Sequence, residues 1–146
     1  MFIKPQYGWT TLTTPLITDG NNEKINWDIS YTTNVPVEVL SAFINFYKTY
    51  MPQVVEFDME EDGYGCMVIS HQSNIHLFNS FDNLPVIYQA TAPFSEVVQE
   101  CIDDFQTNID EWATFYFSIT DEEEYKKNKD NIISLINELK HISKKG

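Results

Sequence analysis

The sequence predicts an α+β domain, a mainly antiparallel sheet of about six strands with helices packed on one face. Three observations carry that expectation. Apolar residues recur with a period of two in short stretches between residues 7 and 90, one early segment and most of the chain after Ser95 shift to a helical period, and short turn-forming stretches join the strands. Strands joined by tight turns pair antiparallel, because a parallel pair needs a long crossover.

Residues 7–18, rich in Thr, and 25–32, where Ile25, Trp27, Ile29 and Tyr31 alternate with polar residues, read as the first two strands. Asp19, Gly20, Asn21 and Asn22 supply the turn between them. From Asn34 to Tyr50 the apolar positions Val39, Leu40, Phe43, Phe46, Tyr47 and Tyr50 take helical spacing, with Asn34 as cap, Pro36 in the first turn and Pro52 as the stop. Residues 54–63 then return to a period of two. Val55, Phe57 and Met59 fall on one face and Glu56, Asp58 and Glu60 on the other, a ladder of like charges that costs stability unless something positive neutralises it or water screens it.

Asp62 and Gly63 turn that strand into a hairpin with residues 66–70. Ser73 and Asn74 mark the next turn before residues 75–78, and a loop of Asn83, Leu84 and Pro85 precedes residues 86–90. After Ser95, Val98, Cys101, Ile102, Phe105, Ile109 and Trp112 form one helical stripe. Glu96, Glu100, Asp103, Thr107 and Asp110 occupy the opposite arc, a second carboxylate surface. Residues 113–118 fit helix or strand. A final helix is expected from Thr120, whose spacing to Glu123 suits a capping box, with acids in its first turn and lysines later, as the helix dipole favours.

At 146 residues the chain suits one domain, residues 1–146, burying roughly 70% of its unfolded surface. Cys66 and Cys101 are too few and too far apart for a disulfide framework. No apolar run suits a signal peptide or a membrane span, so a soluble cytoplasmic protein without membrane contact is expected. The net charge is −13 and unevenly spread: residues 1–125 hold three lysines against 20 acids, a net of −17, and residues 126–146 carry +4. Arginine is absent, which removes the forked donor favoured for phosphate and guanine, and direct nucleic-acid binding is not expected. Such a field attracts basic proteins and speeds their encounter.

Catalytic and metal signatures fail on spacing. Residues 58–63 copy the opening of an EF-hand loop, but Ile69 stands where the bidentate Glu belongs. Cys66, His71 and His76 match no zinc pattern, and no nucleophile elbow or phosphate loop occurs. The chain is therefore read as non-enzymatic and without a cofactor. Two alternatives stay open: a generic acidic adaptor, and a small hydrolase pairing Glu56 with Asp58 or Glu60.

The segments Tyr7-Gly8-Trp9-Thr10-Thr11 and Glu56-Phe57-Asp58-Met59-Glu60, in a small acidic chain of this element order, carry a resemblance. The chain resembles the immunity proteins with which bacteria neutralise toxins of contact-dependent inhibition and related polymorphic toxin systems. That resemblance implies a basic partner, the C-terminal toxin domain of a secreted effector, often a nuclease whose phosphate-binding cleft an acidic protein can occupy or flank. Glu56, Asp58, Glu60, Glu61 and Asp62 are then the partner-binding acids, with Tyr64 beside them, and Glu100, Asp103 and Asp110 form the second candidate face.

Overall fold

A computed structural model describes residues 1–12, 27–70, 74–81 and 84–144. The chain is α+β, with helices packed against sheet. Strands β1 (Trp9–Leu12) and β2 (Trp27–Ser30) form an antiparallel pair. Strands β3 (Gln53–Asp58), β4 (Tyr64–Ile69), β5 (Asn74–Phe81) and β6 (Leu84–Pro93) form a separate antiparallel meander in chain order. The expected strands thus divide between two sheets. Where a ladder between β2 and β3 would need backbone partners, the Asp58 N–H instead donates to the Thr33 hydroxyl at 3.0 Å.

The first strand begins later than its Thr-rich stretch suggests. Gln6 and Trp9 exchange backbone hydrogen bonds of 2.9 and 3.0 Å around a two-residue turn, with φ of 53° at Tyr7 and 80° at Gly8. Positive φ at both central residues matches the right-handed twist of a hairpin, and only Gly8 adopts it freely. The turn expected at residues 19–22 lies outside the described residues, as do Ser73 and Asn83. Leu84 and Pro85 belong to β6 rather than to a loop, and β6 ends the sheet order, where a missing N–H is tolerated.

Helix α1 (Val35–Thr49) matches its expected span and carries Pro36 in its first turn. It stops at Thr49, three residues before Pro52, because Tyr50 takes a left-handed conformation (φ 56°) and returns its N–H to the Phe46 carbonyl at 2.7 Å. Asn34 occupies the cap position, but its side chain makes no cap bond and donates to Asn128 Oδ1 at 3.2 Å. The single long helix expected after Ser95 is two: α2 (Phe94–Thr107) and α3 (Ile109–Phe115) meet at Asn108, whose φ of −116° and ψ of 42° break the spiral. Residues 113–115 are thus helical as the end of α3, whereas Tyr116 turns extended (ψ 112°) and Phe117 and Ser118 take left-handed backbone (φ 52° and 51°), so Tyr116–Ser118 form a tight turn and not a continuation of the helix. Helix α4 (Glu122–Ser143) starts at an Asp121 cap without side-chain capping, so the Thr120 box does not form.

Helices α1 and α2 cover one face of the four-stranded sheet, α1 over β3 and α2 over β5 and β6, while α4 lies against α1 and α3. The covered sheet face contributes Val55, Phe57, Met67, Ile69, Ile75 and Leu77 to the core, each side chain stabilising by about 1.5–3 kcal/mol when fully buried. Phe2 joins three elements, its ring centroid lying 6.0 Å from Phe57, 5.5 Å from Phe105 and 6.1 Å from Trp112. A second cluster gathers Phe43, Phe46 and Tyr47 of α1 around Phe94 at the start of α2. Gly65 on β4 is required by close approach. A Cβ there would stand 2.7 Å from two carbons of the Trp27 ring, which is itself buried.

Candidate functional site

Strand β3 keeps its period of two: Val55 and Phe57 enter the core while Val54, Glu56 and Asp58 point to the sheet face opposite the helices. Cross-strand register turns that face into a grid. Val54 stands opposite Val68, which pairs with His76; Glu56 stands opposite Cys66, which pairs with Phe78; Asp58 stands opposite Tyr64. Val54 is 64% exposed and Tyr64 53%, so an apolar group and an aromatic group flank the two carboxylates in solvent.

The third rung of the ladder is absent. The strand ends at Asp58, Glu60 takes φ of 55°, and a 3-10 turn, Glu60–Asp62, carries the chain to Gly63 at φ 87°. Two backbone bonds close this turn, Met59 N–H to the Gly63 carbonyl at 2.9 Å and Gly63 N–H to the Glu60 carbonyl at 3.0 Å. Asp58 helps to build it: one carboxylate oxygen accepts the Glu60 N–H at 2.8 Å and the other the Thr32 hydroxyl at 2.7 Å. Glu60 accepts a weaker bond from the Ser30 hydroxyl at 3.3 Å. Glu56 and Glu61 are exposed, and the Asp62 side chain lies outside the described residues. The acidic rim is therefore Glu56, Asp58, Glu60 and Glu61 around one corner, with Asp58 and Glu60 held by hydroxyls and Glu56 and Glu61 projecting.

The second candidate face comes apart. Asp110 belongs to α3, not to the helix of Glu100 and Asp103. It is engaged by Lys129 of α4 at 2.8 Å and by the Tyr125 hydroxyl, and these two hydrogen bonds hold its carboxyl below the usual range. Glu100 and Asp104 receive the Met1 ammonium, Asp104 at 2.6 Å, with the Phe2 N–H adding a bond to Asp104 at 2.9 Å. Asp103 is exposed and accepts a bond from Gln99 at 3.0 Å. An unbroken helical wheel placed these acids together; the break at Asn108 and partners remote in sequence separate them.

Burial, and then the Glu56 charge, push the Cys66 thiol above its usual value, which keeps it protonated and a poor nucleophile. His71 lies outside the described residues, and among the described residues no three or more His, Cys, Asp or Glu side chains gather as a metal site. Nor is any described helix long and apolar enough to cross a membrane. Parity with Glu56 was enough to place Val54 on this face, and sequence reasoning passed over it. Ser30, Thr32 and Thr33 left no local signal, since the carboxyl groups and N–H they engage are at least 25 residues away.

No protein-family model matches the chain, and searches of curated proteins and of solved structures return no match. The site is therefore read from its own chemistry.

Proposed function

We propose that this chain is a non-enzymatic binding protein of the immunity type, which captures a basic protein, the C-terminal toxin domain of a secreted effector, on the rim around Glu56. The observation that carries the reading is the sheet face turned away from the helices, where Glu56 projects and Asp58 is held beside it, between exposed Val54 and Tyr64. Carboxylates on a fixed strand accept charge-assisted hydrogen bonds from Lys and Arg without first being ordered. Tyr64 and Val54 supply apolar area that a partner can desolvate, which sets the release rate, while the net charge of −13 speeds encounter. A nuclease domain suits this chemistry because its phosphate-binding cleft is itself basic.

The test looks in the adjacent reading frame for a secreted protein with a basic C-terminal domain and titrates that domain calorimetrically at low and at physiological salt. Glu56→Lys and Glu61→Lys, both at exposed positions, are expected to weaken binding roughly tenfold each, and Tyr64→Ala to speed dissociation. Absence of a complex at low salt would sink the proposal.

A further inference from the structure

In an antiparallel ladder the residues of a strand turn their backbone N–H and C=O groups alternately toward the partner strand and away from it. Met59 N–H bonds the Gly63 carbonyl on the β4 side, whereas Asp58 N–H turns away from β4 to the Thr33 hydroxyl, so Val54, Glu56 and Asp58 direct their backbone groups off the edge of the sheet. Thr33 closes that edge at Asp58. Upstream, the outward N–H and C=O groups of Val54 and Glu56 meet no hydrogen-bond partner among the described residues. Sheet edges are normally blunted by proline, lysine or a bulge, because unpaired backbone groups accept a further strand. The opposite edge, β6, carries Pro85 and Pro93, and its register with β5 shifts between Leu77 and Asn79. Strand β3 pairs with β4 without a shift and has neither proline nor lysine in its span.

Apolar side chains stand in solvent where the chain enters this open edge: Tyr50, Met51 and Val54 are 69%, 62% and 64% exposed. Guarding the edge would call for polar groups there, whereas contact with an incoming strand accounts for apolar ones. Charge selects the occupant. Glu56 forms no ion pair among the described residues, and Lys48, the lysine nearest to it in sequence, is taken by Glu138 at 2.7 Å. A second copy of the chain is disfavoured, because β3 paired with itself sets Glu56 and Asp58 of one chain beside those of the other, and each chain carries −13. We propose that an extended Lys- and Arg-bearing segment of a protein partner adds to the sheet as a strand along β3. Its backbone pairs with the outward N–H and C=O groups of Val54 and Glu56, its cationic heads lie beside Glu56 and Asp58, and the aliphatic stems of those side chains cover Val54. This mode of capture rests on the Glu56 rim proposed above and adds what holds the partner's backbone.

The experiment compares, by fluorescence anisotropy at low salt, a labelled peptide of alternating Lys and Val with the same peptide N-methylated at every residue, which keeps side chains and charge but has no backbone N–H. Amide hydrogen exchange of the intact chain is read by NMR alongside. The unmodified peptide should bind roughly tenfold more tightly than the methylated one, Glu56→Lys should weaken it, and exchange at the Val54 and Glu56 amides should slow on binding. Val54→Pro, which removes a donor pointing off the edge and leaves the β4 ladder whole, should weaken the unmodified peptide to the level of the methylated one. Equal affinity for the two peptides, or unslowed exchange at both amides, overturns strand addition and leaves the rim as a purely electrostatic surface. No binding of the unmodified peptide also overturns it, while the rim answers to the basic domain titrated above. Binding that ignores Glu56→Lys overturns the rim and strand addition together.

Discussion

Glu56 and Asp58 were legible in the sequence because facing on a strand needs only the alternation of neighbours, and the structure keeps both on the face opposite Val55 and Phe57. What each carboxylate does there was not legible. Glu100 looked like surface charge until Met1, 99 residues away, placed its ammonium against it. Burial alone would lower the pKa of that amine, but its hydrogen bonds to Asp104 and Glu100 and their charges outweigh burial, so the value rises above the ordinary one. A raised folded value means that the stabilisation is complete below the ordinary amine range and is lost as pH climbs through the folded value. Urea midpoints should therefore fall as pH rises from about 8, and Glu100→Gln with Asp104→Asn should flatten that fall. An equally steep fall in the double variant would assign the alkaline loss to other groups.

At the scale of elements, periodicity located α1 and β3 closely, since their buried stripes dominate their composition. It failed where local pattern and local geometry diverge. The acidic run continues in alternation past Asp58, yet Glu60 turns left-handed and the strand stops; the stripe continues past Thr107, yet Asn108 breaks the helix so that Trp112 can enter the aromatic cluster of Phe2, Phe105 and Phe115. Asn34 illustrates the same competition, giving up its local cap to reach across to α4. Asn128 is the hub of that junction, donating to the Ala113 carbonyl at 2.9 Å while accepting from Asn34. Asn128→Ala leaves both partly buried groups unpaired and should cost about 1–2 kcal/mol. Chemical denaturation checks this, and an unchanged midpoint would mean that water replaces both bonds.

For the molecule as a whole, −13 of net charge opposes compaction, and few of the 22 carboxylates sit in the ion pairs formed among the described residues, Lys4–Glu111, Lys48–Glu138, Lys129–Asp110 and those of the Met1 ammonium. Raising salt from roughly 10 to 150 mM shortens the screening length from about 30 Å to about 8 Å and should relieve that repulsion. Calorimetry should then show Tm rising by roughly 2–4 °C, as for about 1 kcal/mol in a domain of this size. A falling Tm would place the balance with the ion pairs instead. By itself the sequence determined the α+β class, the facing of β3, the span of α1 and the acidic field, because composition and period are properties of neighbours along the chain. Only the tertiary structure decided that the strands split into two sheets, that Glu100 and Asp110 are drawn into internal pairs while Glu56 projects, and that the rings of Tyr31 and Phe117 meet. Those outcomes hang on hydrogen bonds and charges whose partners are brought together only when the core closes.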